Sequence, residues 1–245
     1  ILRNTTDEKG FVPTMGFLHK GHTSLIDISK ENADFHVMSI FVNRLQFNDA
    51  GDFKNYPKDL EKDIQIAEES GINLLFLPDD SEMYKNNLTH VNVDRITDNL
   101  CGAHRPGHFQ GVFTVVSKLF NIVQPHIAVF GQKDIQQAIS IEKMVYDLNF
   151  PLQIIIAPTV REDDGLAMSS RNKHLSPEHR KNALAIHRSL KRAESAIAGG
   201  ERDSEVLMSL ILKEMNTGDP ELVEYVSVVS YDDLSVVKTI TGKSV

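Results

Sequence analysis

Two histidines three residues apart, His19 and His22, lie in the segment Pro13–His22, which reads Pro-Thr-Met-Gly-Phe-Leu-His-Lys-Gly-His. This segment joins an apolar run to a helix-like stretch, where backbone N–H groups and the helix dipole attract anions. Gly16 and Gly21 permit a tight turn and close approach of a ligand to the backbone. Imidazolium donors at a helix start suit the charge of a phosphate under attack. Two surface histidines and two turn glycines would give the same sequence.

A second candidate segment, Gly131–Asp134, follows a short apolar run. Gly131 admits a ligand at the strand end, Lys133 offers a positive charge for phosphate, and Asp134 can accept from a ribose hydroxyl. A lysine and an aspartate after a strand are common by chance, so the segment is weak evidence by itself. Gln137 lies one helical turn beyond Lys133 and can point the same way.

A third candidate is the polar segment Glu162–Asn172, in which Ser169 and Ser170 precede Arg171. Hydroxyls beside a guanidinium can fold over a polyphosphate and stabilise its charge as it leaves. A solvated linker between domains would have the same composition, so both interpretations stay open. Because no apolar anchor is obvious, the loop Asp163–Asn172 is expected to be mobile without nucleotide and ordered with it.

The composition is that of an ordinary globular protein. The 245 residues are 41% hydrophobic and 24% charged, which excludes disordered and fibrous classes. The 26 Lys and Arg against 34 Asp and Glu give a net charge of −8, which argues against nucleic acid as the main partner. Cys101 is the one cysteine in the sequence, so a reducing, cytoplasmic location is expected. No run resembles a membrane span or a leader, and no membrane partner is expected.

The elements that would position these residues alternate between short apolar strands and longer amphipathic helices. Strands are predicted at Gly10–Pro13, Phe35–Val42, Ile72–Leu77, Ile127–Phe130, Leu152–Ala157 and Leu222–Val229. Helices are predicted at His22–Glu31, Pro57–Ser70, Gly111–Val123, Asp134–Asn149, Pro177–Gly199 and Ser204–Asn216. This order indicates an α/β protein with a Rossmann-like parallel sheet, whose ligands bind at the carboxyl ends of the strands.

The alternation of strands and helices gives way to a polar segment after Val160, and a boundary between two domains is predicted there. Residues 1–159 form the Rossmann-like domain, and residues 160–245 form a smaller α+β domain. Ser176 at the N-cap and Pro177 at the first helical position open the long helix of the second domain.

Several blocks together identify a resemblance to the pantothenate synthetase family, within the nucleotidyltransferases that share a His-x-Gly-His motif. That motif alone occurs in many such enzymes, whereas Arg105–Phe109 and Asp164–Asn172 are far more specific. The matching blocks span nearly the whole chain: Pro13–His22, Ile40–Asn43, Leu45–Phe47, Tyr56–Pro57, Arg105–Gly111, Gly131–Asp134, Gln136–Gln137 and Arg161–Asn172.

The resemblance implies ATP-dependent condensation of (R)-pantoate with β-alanine to pantothenate. The pantoate carboxylate attacks the α-phosphate of ATP, giving pantoyl adenylate and pyrophosphate, and the β-alanine amine then displaces AMP. The resemblance further implies Mg²⁺ bound with the ATP, with protein metal ligands unknown, and a homodimer. The smaller domain would act as a lid.

Roles follow from the resemblance position by position. His22 is the expected proton donor and belongs to the catalytic set His19, His22, Lys133 and Arg171. Gln46 and Gln137 would bind pantoate and β-alanine, with Met15 packing on the dimethyl carbon of pantoate. ATP would contact Met15, Gly16, Phe17, Leu18, His19, Lys20, Gly21, His22, Gly131, Gln132, Lys133, Asp134, Val160, Met168, Ser169, Ser170 and Arg171.

The sequence departs from the family pattern at Arg44, where proline is usual. Loss of a fixed φ would loosen the turn that aims Gln46, and the guanidinium could pair with the pantoate carboxylate. We therefore expect altered pantoate binding.

Three alternatives stay open. A nucleotidyltransferase with another acceptor, such as phosphopantetheine or a nicotinamide nucleotide, would need a basic acceptor pocket that the Gln46 and Gln137 pair does not suggest. A regulatory nucleotide-binding module would have lost one of the catalytic residues, yet all are present. A fragment of an aminoacyl-tRNA synthetase would need a tRNA surface, against which the net charge argues.

Other conspicuous side chains are given structural interpretations. The acidic residues Glu61, Asp63, Glu68 and Glu69 are expected on a solvated helix face, opposite Leu60, Ile64 and Ala67. Cys101 is expected to pack, and the remaining histidines show no metal-site spacing. His104, Arg105 and His108 suit either substrate contact or a structural turn.

Overall fold

The structure is a computed structural model that describes residues 7–218 and 223–245. The described residues fall into two compact units, which divide in the chain between Val160 and Arg161.

A five-stranded parallel sheet forms the centre of the first unit, with strand order β3-β2-β1-β4-β5. The strands are β1 (Lys9–Thr14), β2 (Phe35–Ile40), β3 (Leu74–Phe76), β4 (Ile127–Gly131) and β5 (Gln153–Ala157). The chain builds outward from β1 to β3, then returns to place β4 on the other side of β1. The switch point of the sheet therefore lies between β1 and β4, the place where α/β sheets bind ligands. The predicted α/β class with a parallel sheet is confirmed.

Seven helices belong to the described part of the first unit. They are α1 (Lys20–Asn32), α2 (Ala50–Asn55), α3 (Leu60–Glu69), α4 (Asp80–Met83), α5 (Leu100–His104), α6 (His108–Val123) and α7 (Ile135–Asp147). Two 3-10 turns, Arg44–Gln46 and Gln132–Asp134, follow β2 and β4. The short helices α2, α4 and α5 were not predicted.

Burial of both sheet faces holds the strand ends in place. Phe11 and Val12 of β1 are fully buried, and α6 is buried along most of its length. The Phe11 ring meets Phe120 of α6 edge-to-face, with centroids 6.4 Å apart. Each such side chain contributes about 1.5–3 kcal/mol by leaving water, so the edge of the sheet that carries the candidate residues is rigidly supported.

The second unit contains α8 (Pro177–Ala198) and α9 (Ser204–Met215), preceded by the 3-10 turn Ser170–His174. The side chain of Ser176 accepts from the N–H of His179 and Pro177 opens α8, as predicted. The two helices enclose a small core of Ala193, Leu207, Ile211 and Val228.

The strand predicted at Leu222–Val229 is wrong for the residues that are described. Leu222 lies outside them, and residues 223–228 have no regular secondary structure. Isolated bridges join Val229 to Val236 and Ser230 to Ser244. An alternating sequence becomes a strand only where a neighbouring strand can pair with it over several residues.

Candidate active site

His19 and His22 cap the start of α1 with their own side chains. The N–H of Gly21 donates to Nδ1 of His19 at 3.1 Å, and the N–H of His19 donates to Nδ1 of His22 at 3.2 Å. The ring centroids are 4.1 Å apart. Because each Nδ1 accepts a hydrogen bond, a neutral ring carries its proton on Nε2. The loop thus sets both histidines as Nε2–H donors.

Charge and burial keep His22 neutral. Burial is the main cause that lowers the pKa of His22, and together with the neighbouring His19 and the positive charge of Lys133 it brings the value from 6.5 to about 3. The imidazolium expected at this position is therefore wrong for His22, which offers a neutral N–H donor at pH 7. Because Lys133 affects the pKa of His22, the segments after β1 and β4 lie near each other. This agrees with the position of β4 beside β1 in the sheet.

The backbone of the same loop is held by Asp63, a residue of α3. Its carboxylate accepts from the N–H of Phe17 at 2.8 Å and from the N–H of Leu18 at 2.7 Å. Asp63 is 2% exposed. Phe17 has φ of +54°. This backbone conformation costs free energy in a residue with a side chain, so it persists only where surrounding contacts stabilise it. We infer that Asp63 keeps the loop in this conformation.

The N–H groups of Phe17, Leu18, His19 and Gly21 all donate within the protein. The anion site expected at this helix start stays a prediction. The acidic residues of α3 were expected on a solvated helix face, which is wrong for Asp63 because its side chain is buried. The face predicted to be apolar carries Leu60 and Ile64, which are 49% and 41% exposed. The missed signal is that Asp63 lies four residues before the buried Ala67, on the same helix face.

The segment after β4 leaves room for a ligand beside Gly131. A Cβ atom built there would have no described protein atom within 4 Å, and the φ of −85° does not demand glycine. Nζ of Lys133 lies 3.0 Å from the Asp134 carboxylate, and the Lys133 side chain is 37% exposed. Lys133 and Asp134 therefore place a positive and a negative side chain at the end of β4, where phosphate and ribose were predicted to bind.

Gln46 ends the 3-10 turn after β2, and Asn43 holds its side chain. Nδ2 of Asn43 donates to Oε1 of Gln46 at 2.9 Å and to the carbonyl of Gly111 at 3.0 Å. The Tyr84 hydroxyl donates to Oδ1 of Asn43 at 2.6 Å. Asn43 is 1% exposed, so it is a buried support for Gln46 that sequence reasoning left without a role.

The two adjacent glutamines of α7 have different surroundings. Gln136 is buried, and its Nε2 donates to the carbonyls of Ile96 and Asn99 at 2.9 Å each. Gln137 is half-buried. Because β2, β1 and β4 are neighbours, their carboxyl ends place Gln46, the histidine loop and Gln137 on one edge of the sheet.

Comparison with known proteins identifies the family. The family model described as pantoate-beta-alanine ligase matches residues 1–245. The chain belongs to this family. A pantothenate synthetase from Thermoanaerobacter sp. (strain X514) is 54% identical over 236 residues, which cover 96% of this chain and 83% of that protein. The resemblance inferred from the sequence blocks is confirmed.

Solved structures of the same family have the same fold. A pantothenate synthetase from Thermus thermophilus superposes with a TM-score of 0.93 at 42% identity, covering 97% of this chain and 86% of that one. A pantoate-beta-alanine ligase from Francisella tularensis, in complex with beta-gamma ATP and beta-alanine, has a TM-score of 0.74 at 38% identity. It covers 85% of this chain and 78% of that one.

In the second unit, the residues that the resemblance predicts as phosphate donors lie at the start of the 3-10 turn Ser170–His174. The Ser169 hydroxyl caps this turn by accepting from the N–H of Arg171 at 3.3 Å. Ser170 is buried, Arg171 is exposed, and Met168 and Val160 are half-buried. Their contacts with ATP stay predictions.

Arg180 and Leu166 anchor the loop that precedes this turn. Nη2 of Arg180 donates to Glu162 at 2.7 Å and to Asp164 at 2.6 Å. Leu166 is buried, and Nδ2 of Asn172 donates to Glu162 at 2.9 Å. The reason for expecting a mobile loop, the lack of an apolar anchor, is therefore wrong.

Replacing Arg180 by alanine is expected to speed proteolysis near Gly165 by about fivefold, because the ion pairs that Arg180 makes with Glu162 and Asp164 are lost. Limited proteolysis followed by mass spectrometry measures the rate. The exposed neighbour Lys181 provides the control variant, Lys181→Ala. Equal cleavage of the two variants would contradict the anchoring role.

Acidification is expected to weaken the fold through His22. Between the unfolded value of 6.5 and the folded pKa of about 3, the unfolded chain binds a proton that the folded protein does not. The free energy of unfolding should therefore fall as the pH falls through this window. His22→Asn keeps an acceptor for the N–H of His19 and cannot titrate, so its unfolding midpoint in urea should change less between about pH 7 and about pH 5. An equal change of the urea midpoint with pH in the two proteins would show that His22 is not a buried neutral ring.

Neither a membrane-spanning helix nor a metal-binding cluster occurs in the described part of the chain. Across residues 7–218 and 223–245, no helix is long and apolar enough to cross a membrane. The same residues contain no cluster of three or more histidines, cysteines, aspartates or glutamates suited to a metal ion.

Proposed function

We propose that this protein condenses (R)-pantoate with β-alanine, using ATP and passing through pantoyl adenylate. The observation that carries the proposal is the pair of Nε2–H histidines beside Lys133, at the switch point of a sheet in a pantoate-beta-alanine ligase. The pair supplies hydrogen-bond donors, and Lys133 supplies the positive charge that phosphate binding needs.

In the first step, a carboxylate oxygen of pantoate attacks the α-phosphorus of ATP. A new P–O bond forms, the bond from the α-phosphorus to the bridging oxygen of the β-phosphate breaks, and pyrophosphate leaves with that electron pair. Negative charge shifts toward the leaving oxygens during this step. His22 is suited to donate to them because its proton sits on Nε2, and the incoming phosphate charge raises its low pKa.

In the second step, the β-alanine amine attacks the acyl carbon of the adenylate. The C–N bond forms, the C–O bond to AMP breaks, and the amine releases a proton. Gln46 and Gln137 suit the pantoate because amides can bind hydroxyl and carboxylate without a charge that attracts or repels triphosphate. Both steps need a site closed to water so that the adenylate is not hydrolysed.

We also propose a magnesium cofactor, a homodimer and a cytoplasmic location. Mg²⁺ would enter as the MgATP complex, with Lys133 near the phosphates and Asp134 near the ribose. Family resemblance supports a homodimer and a lid role for the second unit. The single cysteine supports a cytoplasmic location.

The deciding experiment separates the two half-reactions. Purified protein with MgATP and pantoate should release pyrophosphate in an amount limited by the enzyme, and added β-alanine should produce AMP continuously. Omitting pantoate should abolish both products. Absence of pantoate-dependent pyrophosphate would refute the proposal, whereas pyrophosphate without β-alanine-dependent AMP would point to another acceptor.

Arg44 is held by Asp80 and Tyr84. Its Nε lies 2.8 Å from both Asp80 carboxylate oxygens, and its guanidinium carbon lies 5.4 Å from the Tyr84 ring centre. Asn43 has φ of −75° and ψ of 105°, a conformation that a following proline would also favour. The 3-10 turn Arg44–Gln46 therefore forms with arginine in the place of proline, and the guanidinium is paired within the protein.

Arg44→Pro is expected to change the KM for pantoate by about threefold and the KM for ATP little, because a surface ion pair next to Gln46 is lost. Asp80→Asn breaks the same pair without altering the backbone and is the matched variant. A change in the KM for ATP alone, in steady-state assays of both substrates, would show that Arg44 acts elsewhere.

A further inference from the structure

The block Arg105–Gly111 leads into α6, and its histidine contacts the turn that carries Gln46. His108 is buried, and its Nδ1 lies 2.7 Å from the backbone carbonyl oxygen of Gln46. A carbonyl only accepts hydrogen bonds, so Nδ1 of His108 must carry the proton. This tautomer is the opposite of the one imposed on His19 and His22.

Arg105 lies on the other side of the same ring. Its Nη1 is 3.5 Å from Nε2 of His108, at the outer limit of a hydrogen bond. Arginine only donates, so this contact favours Nε2 as an acceptor and hence the proton on Nδ1. Arg105 also borders a cavity of about 400 Å³ with Asp98 and Gln110, so shortening its side chain would enlarge an existing cavity rather than open a new one.

Gly111 brings α6 against the same turn. A Cβ atom at this position would lie 2.3 Å from the carbonyl oxygen of Leu45 and 2.6 Å from the nitrogen of Gln46. Only glycine permits that approach. The carbonyl of Gly111 accepts from Nδ2 of Asn43, which in turn donates to the Gln46 side chain. The motif therefore holds both the backbone and the amide of Gln46.

We propose that His108 is a positioning residue that fixes the backbone of Gln46, and through it the amide that contacts pantoate, with Arg105 supporting the tautomer that the Gln46 carbonyl requires. The inference rests on the proposed function because Gln46 is assigned to pantoate there. A displacement of about 1 Å in a substrate-holding group is enough to weaken binding strongly. No step of the reaction passes through His108 itself.

A matched pair of substitutions tests the hydrogen bond. His108→Phe keeps a buried ring and removes the donor, whereas His108→Asn replaces Nδ1–H by an amide N–H in nearly the same place. His108→Phe is expected to raise the KM for pantoate about tenfold in the pyrophosphate-forming reaction, with the KM for ATP changed less than about twofold. His108→Asn should return the KM for pantoate to within about threefold of the original.

A second measurement does not depend on activity. The N–H of Gln46 donates to the carbonyl of Asn43 at 3.3 Å within the turn. Its hydrogen exchange should be about tenfold faster in His108→Phe and nearly unchanged in His108→Asn. Arg105→Ala should shift both measurements in the same direction by about threefold, and it remains measurable if His108→Phe fails to fold.

Each outcome decides something different. Unchanged exchange at Gln46 in both His108→Phe and Arg105→Ala overturns the positioning role. Faster exchange with an unchanged KM for pantoate leaves the backbone contact standing but overturns its link to substrate binding. Equal rises in both KM values, not relieved in His108→Asn, indicate a general structural role and overturn the proposal. Loss of pantoate-dependent pyrophosphate in the unaltered protein is a failure of the proposed function, and the exchange data still decide the contact.

Discussion

His22→Ala is expected to lower kcat by about 10²–10³ while the fold stays intact, because it removes a donor used mainly in the transition state. The neutral ring donates from Nε2, so its contribution grows as charge develops on the phosphate oxygens. The KM for ATP should rise less than kcat falls. Single-turnover measurement of pyrophosphate release, with circular dichroism of both proteins, gives the comparison.

The matched control for this change is His90→Ala, since His90 is exposed and far from the candidate residues in the chain. It should leave kcat within about twofold. His22→Asn adds a second comparison because it keeps the acceptor for the His19 N–H and removes the ring donor. Normal turnover in a folded His22→Ala protein would rule out a catalytic role for the residue.

Asp63→Asn is expected to lower both the stability and the activity of the protein. An amide offers one acceptor oxygen where the carboxylate offers two, so one of the N–H groups of Phe17 and Leu18 loses its acceptor and faces a donor instead. The free energy of unfolding should fall by about 2 kcal/mol, the cost of a buried donor without a partner. The kcat/KM for ATP should fall by at least about tenfold, because the loop that presents His19 and His22 is displaced.

Glu61→Gln is the control for Asp63→Asn. Glu61 lies on the same helix, is exposed, and loses the same formal charge. Urea unfolding and ATP-dependent turnover of the two variants separate a specific contact from a general change in charge. If the two variants behave alike, Asp63 does not hold the loop.

Local sequence alone determined the alternation of strands and helices and the junction at which His19 and His22 lie. It also determined the cap at Ser176. These features depend on neighbouring residues: hydrophobic period, capping side chains, and breaks at glycine and proline. The helices α2, α4 and α5 escaped prediction because helices of four to six residues have too few periodic positions to stand out from turns.

Only the tertiary structure decided which side chains support the site. Asp63 is 45 residues from the loop it holds, and His108 is 62 residues from the carbonyl it contacts. Such contacts depend on the order of strands in the sheet, which brings distant segments to the same edge. The charge of His22 depends in the same way on burial and on Lys133, which follows a different strand much later in the chain. The sequence identified the residues predicted to act on phosphate, whereas packing determined their protonation and their supports, because desolvation and long-range hydrogen bonds exist only once the chain has folded.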